Sequence, residues 1–168
     1  VASLDELSRN FDFAHFGRAP AHFDPRDVEL LNGRLLHKLD YSAVADRLPS
    51  EASEEDWLLL RPNLERLSDF APWFEILHGE VDAPELPHDD RLLARDAAAV
   101  AEQLDWNGEP WRELTAELKA STGRKGRDLF HPLRLALTGR ESGPEMAGLV
   151  ARMGKDRAVQ RLRAAAKR

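Results

Sequence analysis

Residues 126–168 read GRDLFHPLRLALTGRESGPEMAGLVARMGKDRAVQRLRAAAKR, and Gly and Pro divide the stretch into three helices. Apolar side chains between Leu129 and Leu137 recur at helical spacing, and the helix ends at Gly139. Pro144 marks the next start, because a first-turn proline gives up an N–H that has no partner there anyway. Met146, Leu149 and Val150 carry that helix to Gly154, and Asp156 to Ala166 form the last one.

Upstream the same punctuation continues. Asp89 and Asp90 open an Ala- and Leu-rich helix to about Leu104, and Pro110 starts another through Trp111, Leu114 and Leu118 that ends at Gly123. In the first half, Ser3 with Glu6 and Ser53 with Asp56 have capping-box spacing, the Ser53 helix carrying Trp57, Leu60 and Leu64, and Asp24-Pro25 is a helix start. Ser42 predicts a short helix with Val44 and Leu48, and Ser68 to Leu77 another with Phe70, Trp73 and Phe74. Strands are not expected, since no run alternates apolar and polar residues between turn signals. The fold class is all-α, in two consecutive helical subdomains: residues 1–87 and residues 88–168. They part at the acidic, Pro-containing loop of Glu80, Asp82, Pro84, Glu85 and Pro87.

Composition bounds the function. Apolar residues make up 42% and charged residues 32%, which describes a folded globular chain. There is no cysteine, which excludes disulfides and thiolate metal sites and fits a cytoplasmic setting. No apolar run approaches the roughly 20 residues that cross a bilayer, so no membrane partner is expected. The chain opens on Val1 rather than Met and reads as a piece of a longer polypeptide.

Charge is segregated. Residues 121–168 carry 12 Lys and Arg against 4 Asp and Glu, whereas residues 1–120 carry the other 12 against 26. Such asymmetry points to a polyanionic partner at the basic end. Arg124, Lys125, Arg127, Arg134 and Arg140 surround two helix ends and the loop between them, and Arg offers phosphates and base edges a planar fork of donors. The helix start at Gly143-Pro144 leaves backbone N–H groups free, and Phe130 and Met146 suit packing against unstacked bases. The terminal Arg157, Arg161, Arg163, Lys167 and Arg168 read as a solvated helix face. Catalytic signatures are missing: no phosphate-binding glycine loop follows a strand, no HExxH occurs, and His88-Asp89-Asp90 reads as a helix N-terminus.

The order His131-Pro132-Leu133-Arg134, Leu137-Thr138-Gly139-Arg140, Gly143-Pro144-Glu145, Gly154-Lys155-Asp156-Arg157-Ala158 resembles the C-terminal, anticodon-binding region of bacterial glutamyl-tRNA synthetases. Arg18-Ala19-Pro20-Ala21, Phe23-Asp24-Pro25 and Leu31-Asn32-Gly33 resemble the segment that follows the catalytic domain in that family. The HIGH-type and KMSKS-type sequences with which such synthetases activate their amino acid are both missing. The resemblance therefore implies a chain inactive by itself and without a cofactor of its own, a helical anticodon-binding cage in a parent enzyme that joins glutamate to tRNA with ATP and Mg2+. Its implied partners are tRNA and the catalytic domain of the same polypeptide, with a monomer as the expected state.

On the same resemblance Arg134 matches an anticodon-contacting Arg, Gly143, Pro144 and Met146 occupy the base-contacting loop and helix start, and His131 lines that pocket. Asn63 stands where the family carries an Arg that discriminates the last anticodon base, with Arg61 nearby. An amide lacks the charged fork, so the implied partners extend from glutamate tRNA to glutamine tRNA. Two other readings remain open from the residues: a stand-alone tRNA-binding regulator, and a helical protein–protein scaffold using Trp57, Trp73 and Trp111, whose spacing otherwise suits core packing.

Overall fold

The computed structural model describes residues 3–15, 17 and 24–167. Phe16, the Arg18–Ala21 motif, Phe23 and Arg168 lie outside the described residues. Every regular element among the described residues is helical: α1 (Leu4–Arg9), α2 (Pro25–Leu36), α3 (Glu54–Leu60), α4 (Phe70–His78), α5 (His88–Gln103), α6 (Pro110–Thr122), α7 (Arg127–Thr138), α8 (Met146–Met153) and α9 (Lys155–Lys167). Short 3-10 turns join several of them.

Helix starts follow local chemistry. At α3 the Ser53 hydroxyl accepts from the Asp56 N–H at 3.2 Å, and the Asp56 carboxylate accepts from the Ser53 N–H at 3.0 Å. At α2 the Asp24 carboxylate accepts from the Arg26 N–H at 2.9 Å, with Pro25 at the first helical position. Two expectations change. The Ser42 helix is a pair of 3-10 turns, Tyr41–Ala43 and Ala45–Arg47, because Pro49 forces Leu48 into an extended conformation (φ −96°, ψ 164°) before a helix can lengthen. Helix α3 stops at Leu60, because Pro62 has no N–H to continue it, and Leu64 is buried from an extended residue instead.

Buried side chains from both sides of residue 87 join one apolar cluster, in which Trp57, Leu60, Phe70 and Leu77 meet Leu93, Leu114, Leu133, Leu149 and Leu162. Its most extensive seam runs between α5 and α9. Ala94, Ala97, Ala98 and Ala101 give α5 a small-residue face, which lets Ala158, Leu162 and Ala165 of α9 come close.

Polar side chains reinforce the joint. Asp56 is fully buried, yet Arg152 of α8 donates to it from Nε at 2.7 Å, and His78 Nε2 lies 3.0 Å from the same oxygen. Arg152 also donates to Glu55 at 2.7 Å and to the Ser53 hydroxyl at 2.8 Å. Burial pushes the Asp56 carboxyl up, but the hydrogen bonds from Arg152, Ser53 and His78 outweigh it and hold the group well below the usual carboxylate range.

The solvated reading of the last helix needs correction. Arg161 is buried and donates to the carbonyls of Leu137 at 2.7 Å and Gly79 at 2.9 Å. Arg157 donates to His78 O at 2.8 Å and Leu77 O at 3.1 Å, so two α9 guanidinia satisfy the open carbonyl end of α4. Burial and the neighbouring Arg157 push Arg161 down to about 10, against the pull of Glu80.

Candidate nucleic-acid interface

The site is built on α7 and the loop that follows it. Leu129, Pro132, Leu133, Ala136 and Leu137 fix α7 in the core and leave its other flank to solvent. Pro132 lies inside the helix, so the Asp128 carbonyl one turn earlier loses its helical donor. Arg124 takes over, donating from Nη1 to Asp128 O at 3.1 Å while it pairs with the Asp90 carboxylate. Arg124 is thereby committed to the fold.

Arg134 lies half-buried on the flank of α7. Its Nη2 donates to Pro144 O at 3.0 Å and ties the helix to the far end of the loop, while its Nη1 is buried without a partner. Burial lowers the Arg134 pKa from the ordinary arginine value. His131 Nε2, one turn back, is likewise buried and unpartnered. Such groups are rare in folded chains, since each forfeits about 1–3 kcal/mol unless something meets it. His131 also lines a cleft of about 480 Å3 with Arg124, Arg127, Asp89, Asp90 and Asp128.

The 139–145 loop has a fixed backbone. Gly139 caps α7 at φ 65°, and the Thr138 hydroxyl accepts from the Arg140 N–H at 3.1 Å. Gly143 adopts φ 146°, and a Cβ there would overlap Cη2 and Cζ2 on the edge of the Trp73 indole. Pro144 is buried, and α8 starts two residues later, at Met146 rather than at Pro144.

The remaining predicted residues divide. Lys125, Arg127 and Arg140 are exposed, with no acid in ion-pair reach among the described residues. Met146 is only 5% exposed and packs in the core beneath the loop. Phe130 is exposed and tilts against Trp111, with ring centroids 6.0 Å apart. Asn63 is exposed at the end of the Arg61–Asn63 turn, whereas Arg61 donates to Leu39 O at 2.7 Å, beside the Trp57 indole N–H on the same carbonyl at 2.9 Å. Arg61 is thus spent on its own backbone and not on the 139–145 loop.

Sequence reasoning missed the seat of Gly143 on Trp73 and the burial of Arg161. A signal existed for the second: Arg161 falls between Ala158, Leu162 and Ala165 on the buried stripe of α9. Among the described residues no three His, Asp or Glu side chains converge as a metal site, and no helix is long and apolar enough to cross a membrane.

Known proteins share the sequence and fold of this chain. The anticodon binding domain family matches residues 29–166. Glutamate–tRNA ligase 1 of Rhizorhabdus wittichii is 52% identical over 166 residues, covering 99% of this chain and 37% of that protein. Glutamate–tRNA ligase 1 of Zymomonas mobilis is 44% identical over 167 residues, covering 99% and 38%. The chain therefore spans well under half the length of the curated relatives it matches. The crystal structure of glutamate–tRNA synthetase from Elizabethkingia anophelis superimposes with a TM-score of 0.76 at 22% identity, over 99% of this chain and 36% of the other, and so shares the fold. A helical chain matched over residues 29–166 belongs to the anticodon binding domain family.

Proposed function

We propose that this chain recognises the anticodon arm of glutamate tRNA as the C-terminal part of a glutamate–tRNA ligase. In that enzyme the remaining polypeptide binds ATP and Mg2+ and attaches glutamate, and this chain supplies no catalytic group. Two helical subdomains, residues 1–87 and 88–168, act together on the anticodon, and the enzyme works as a cytoplasmic monomer.

One observation carries the reading: Arg134 is held against Pro144 O, with a second donor nitrogen unmet, beside a loop whose backbone is locked at Gly143. A guanidinium already fixed by one bond loses little entropy when a ligand meets its other donors, and the buried Nη1 is met once a base displaces what covers it. Anticodon bases unstack from the tRNA loop, and the Arg134 donors and loop backbone read their edges. Lys125, Arg127 and Arg140 draw in the phosphates, which supplies affinity without sequence information. His131, one turn before Arg134 on α7, lines the adjoining cleft with Arg127, and Met146 supports the loop from the core. Asn63, exposed and uncharged, meets the last anticodon base without an Arg fork, so glutamine tRNA is bound too, less tightly than glutamate tRNA.

Arg134→Ala tests the assignment. The variant is expected to bind the cognate anticodon stem-loop about 1–3 kcal/mol more weakly at fixed salt. An unchanged dissociation constant overturns the role given to Arg134.

A further inference from the structure

We infer that Trp73, on the acidic half of the chain, is a positioning residue for the 139–145 loop: its indole is the plate on which Gly143 rests, and the base-reading geometry depends on it. This rests on the anticodon reading above and names the part of the first subdomain that serves it.

The argument begins with Gly143. Its φ of 146° is one that side chains rarely adopt, and the indole carbons Cη2 and Cζ2 occupy the space a Cβ would need. Conformation and contact both require glycine there, so the approach of loop to indole is specified twice. Gly148, in the first turn of α8, is also closely packed: a Cβ there would meet the tip of the Leu59 side chain of α3. Two side-chain-free positions thus let the loop and α8 rest directly on α4 and α3.

Trp73 is itself held firmly. It lies in the second turn of α4 and packs against the core cluster while staying partly exposed. The carbonyl end of α4 is clamped by Arg157 and Arg161, and Arg152 ties α8 back to α3. The loop is therefore fixed at its far end from two directions: Arg134 bonds the Pro144 carbonyl, and Trp73 supports the backbone one residue earlier. Removing the plate frees Gly143 to sink toward α4 and carries the Arg134–Pro144 pair with it. A site held too loosely by its supporting residues loses selectivity before it loses affinity.

The test compares binding of a glutamate anticodon stem-loop and an anticodon-swapped stem-loop by wild type, Trp73→Leu and Trp73→Phe. Wild type is expected to prefer the cognate RNA. Trp73→Leu is expected to lose about tenfold of that preference while keeping its affinity for the swapped RNA, and Trp73→Phe, which keeps a flat ring, to recover most of it. Thermal melting of each variant separates this from unfolding, because a purely structural role lowers both affinities together and leaves their ratio unchanged. If Trp73→Leu fails to fold, wild type and Trp73→Phe still decide: cognate RNA is expected to change the tryptophan emission of wild type more than that of Trp73→Phe, in which Trp57, Trp106 and Trp111 remain. An unchanged ratio in folded Trp73→Leu, or the same emission change in both proteins, overturns the role of Trp73. Equal binding of both RNAs by wild type removes the anticodon reading itself, and this inference with it.

Discussion

Arg124, Lys125 and Arg127 are neighbours in sequence with unlike tasks. Arg124 fills the donor place that Pro132 leaves empty at Asp128 and pairs with Asp90, whereas Lys125 and Arg127 stand in solvent. Arg124→Ala is expected to destabilise the fold by about 1–3 kcal/mol in urea unfolding, since it strands a carbonyl and a carboxylate together. Arg127→Ala is expected to leave stability within about 0.5 kcal/mol and to lower the salt slope of tRNA binding by about one unit. Charge counting along the sequence treats the three alike, because partner choice is set by a residue 34 positions away in the Arg124–Asp90 pair. Pro132 was a signal left unread: a proline inside the α7 stretch withholds a donor from the carbonyl four residues back.

At the scale of elements, most helix starts and stops were legible, because a cap is local: Ser53 with Asp56, Asp24 with Pro25, and Gly139 after Thr138 all sit where their own neighbours demand. What α3, α8 and α9 do with their charges was not legible. Asp56 reads as a cap, and only packing brings Arg152 across 96 positions of sequence to bury it as an ion pair. Arg152→Met leaves the buried carboxylate without its main partner and is expected to cost about 3–5 kcal/mol in chemical unfolding. The pH dependence follows from the same pair. Asp56 is held below its unfolded value, so its contribution is fully present above the usual carboxylate range, about pH 4, and is lost as pH falls toward its depressed folded value. Unfolding measured from pH 6 down to pH 2 is expected to show this acid loss in the native protein and a shallower one in Arg152→Met. On the α5–α9 seam, Leu162→Ala empties a fully buried site and is expected to cost about 2–5 kcal/mol.

For the whole molecule, charge segregation and a shared core pull the account together. The acidic first half repels phosphate, so on the proposed reading tRNA affinity concentrates on the basic flank of α7 and the loop after it. The core runs through both halves, and α4 supports the loop that the second half presents. The all-α class and the anticodon-binding resemblance were readable in the sequence alone, because they live in local spacing and motif order. The seat of the loop on Trp73 was not, because a glycine shows what it lacks only when its neighbour is in place. The most direct measurement is a filter-binding titration of this chain with glutamate tRNA transcript against the same transcript carrying a swapped anticodon, at fixed salt. The account predicts tighter binding of the cognate transcript, with both affinities falling as salt rises. Equal binding of the two transcripts would contradict it and would favour a helical scaffold over a reader of the anticodon.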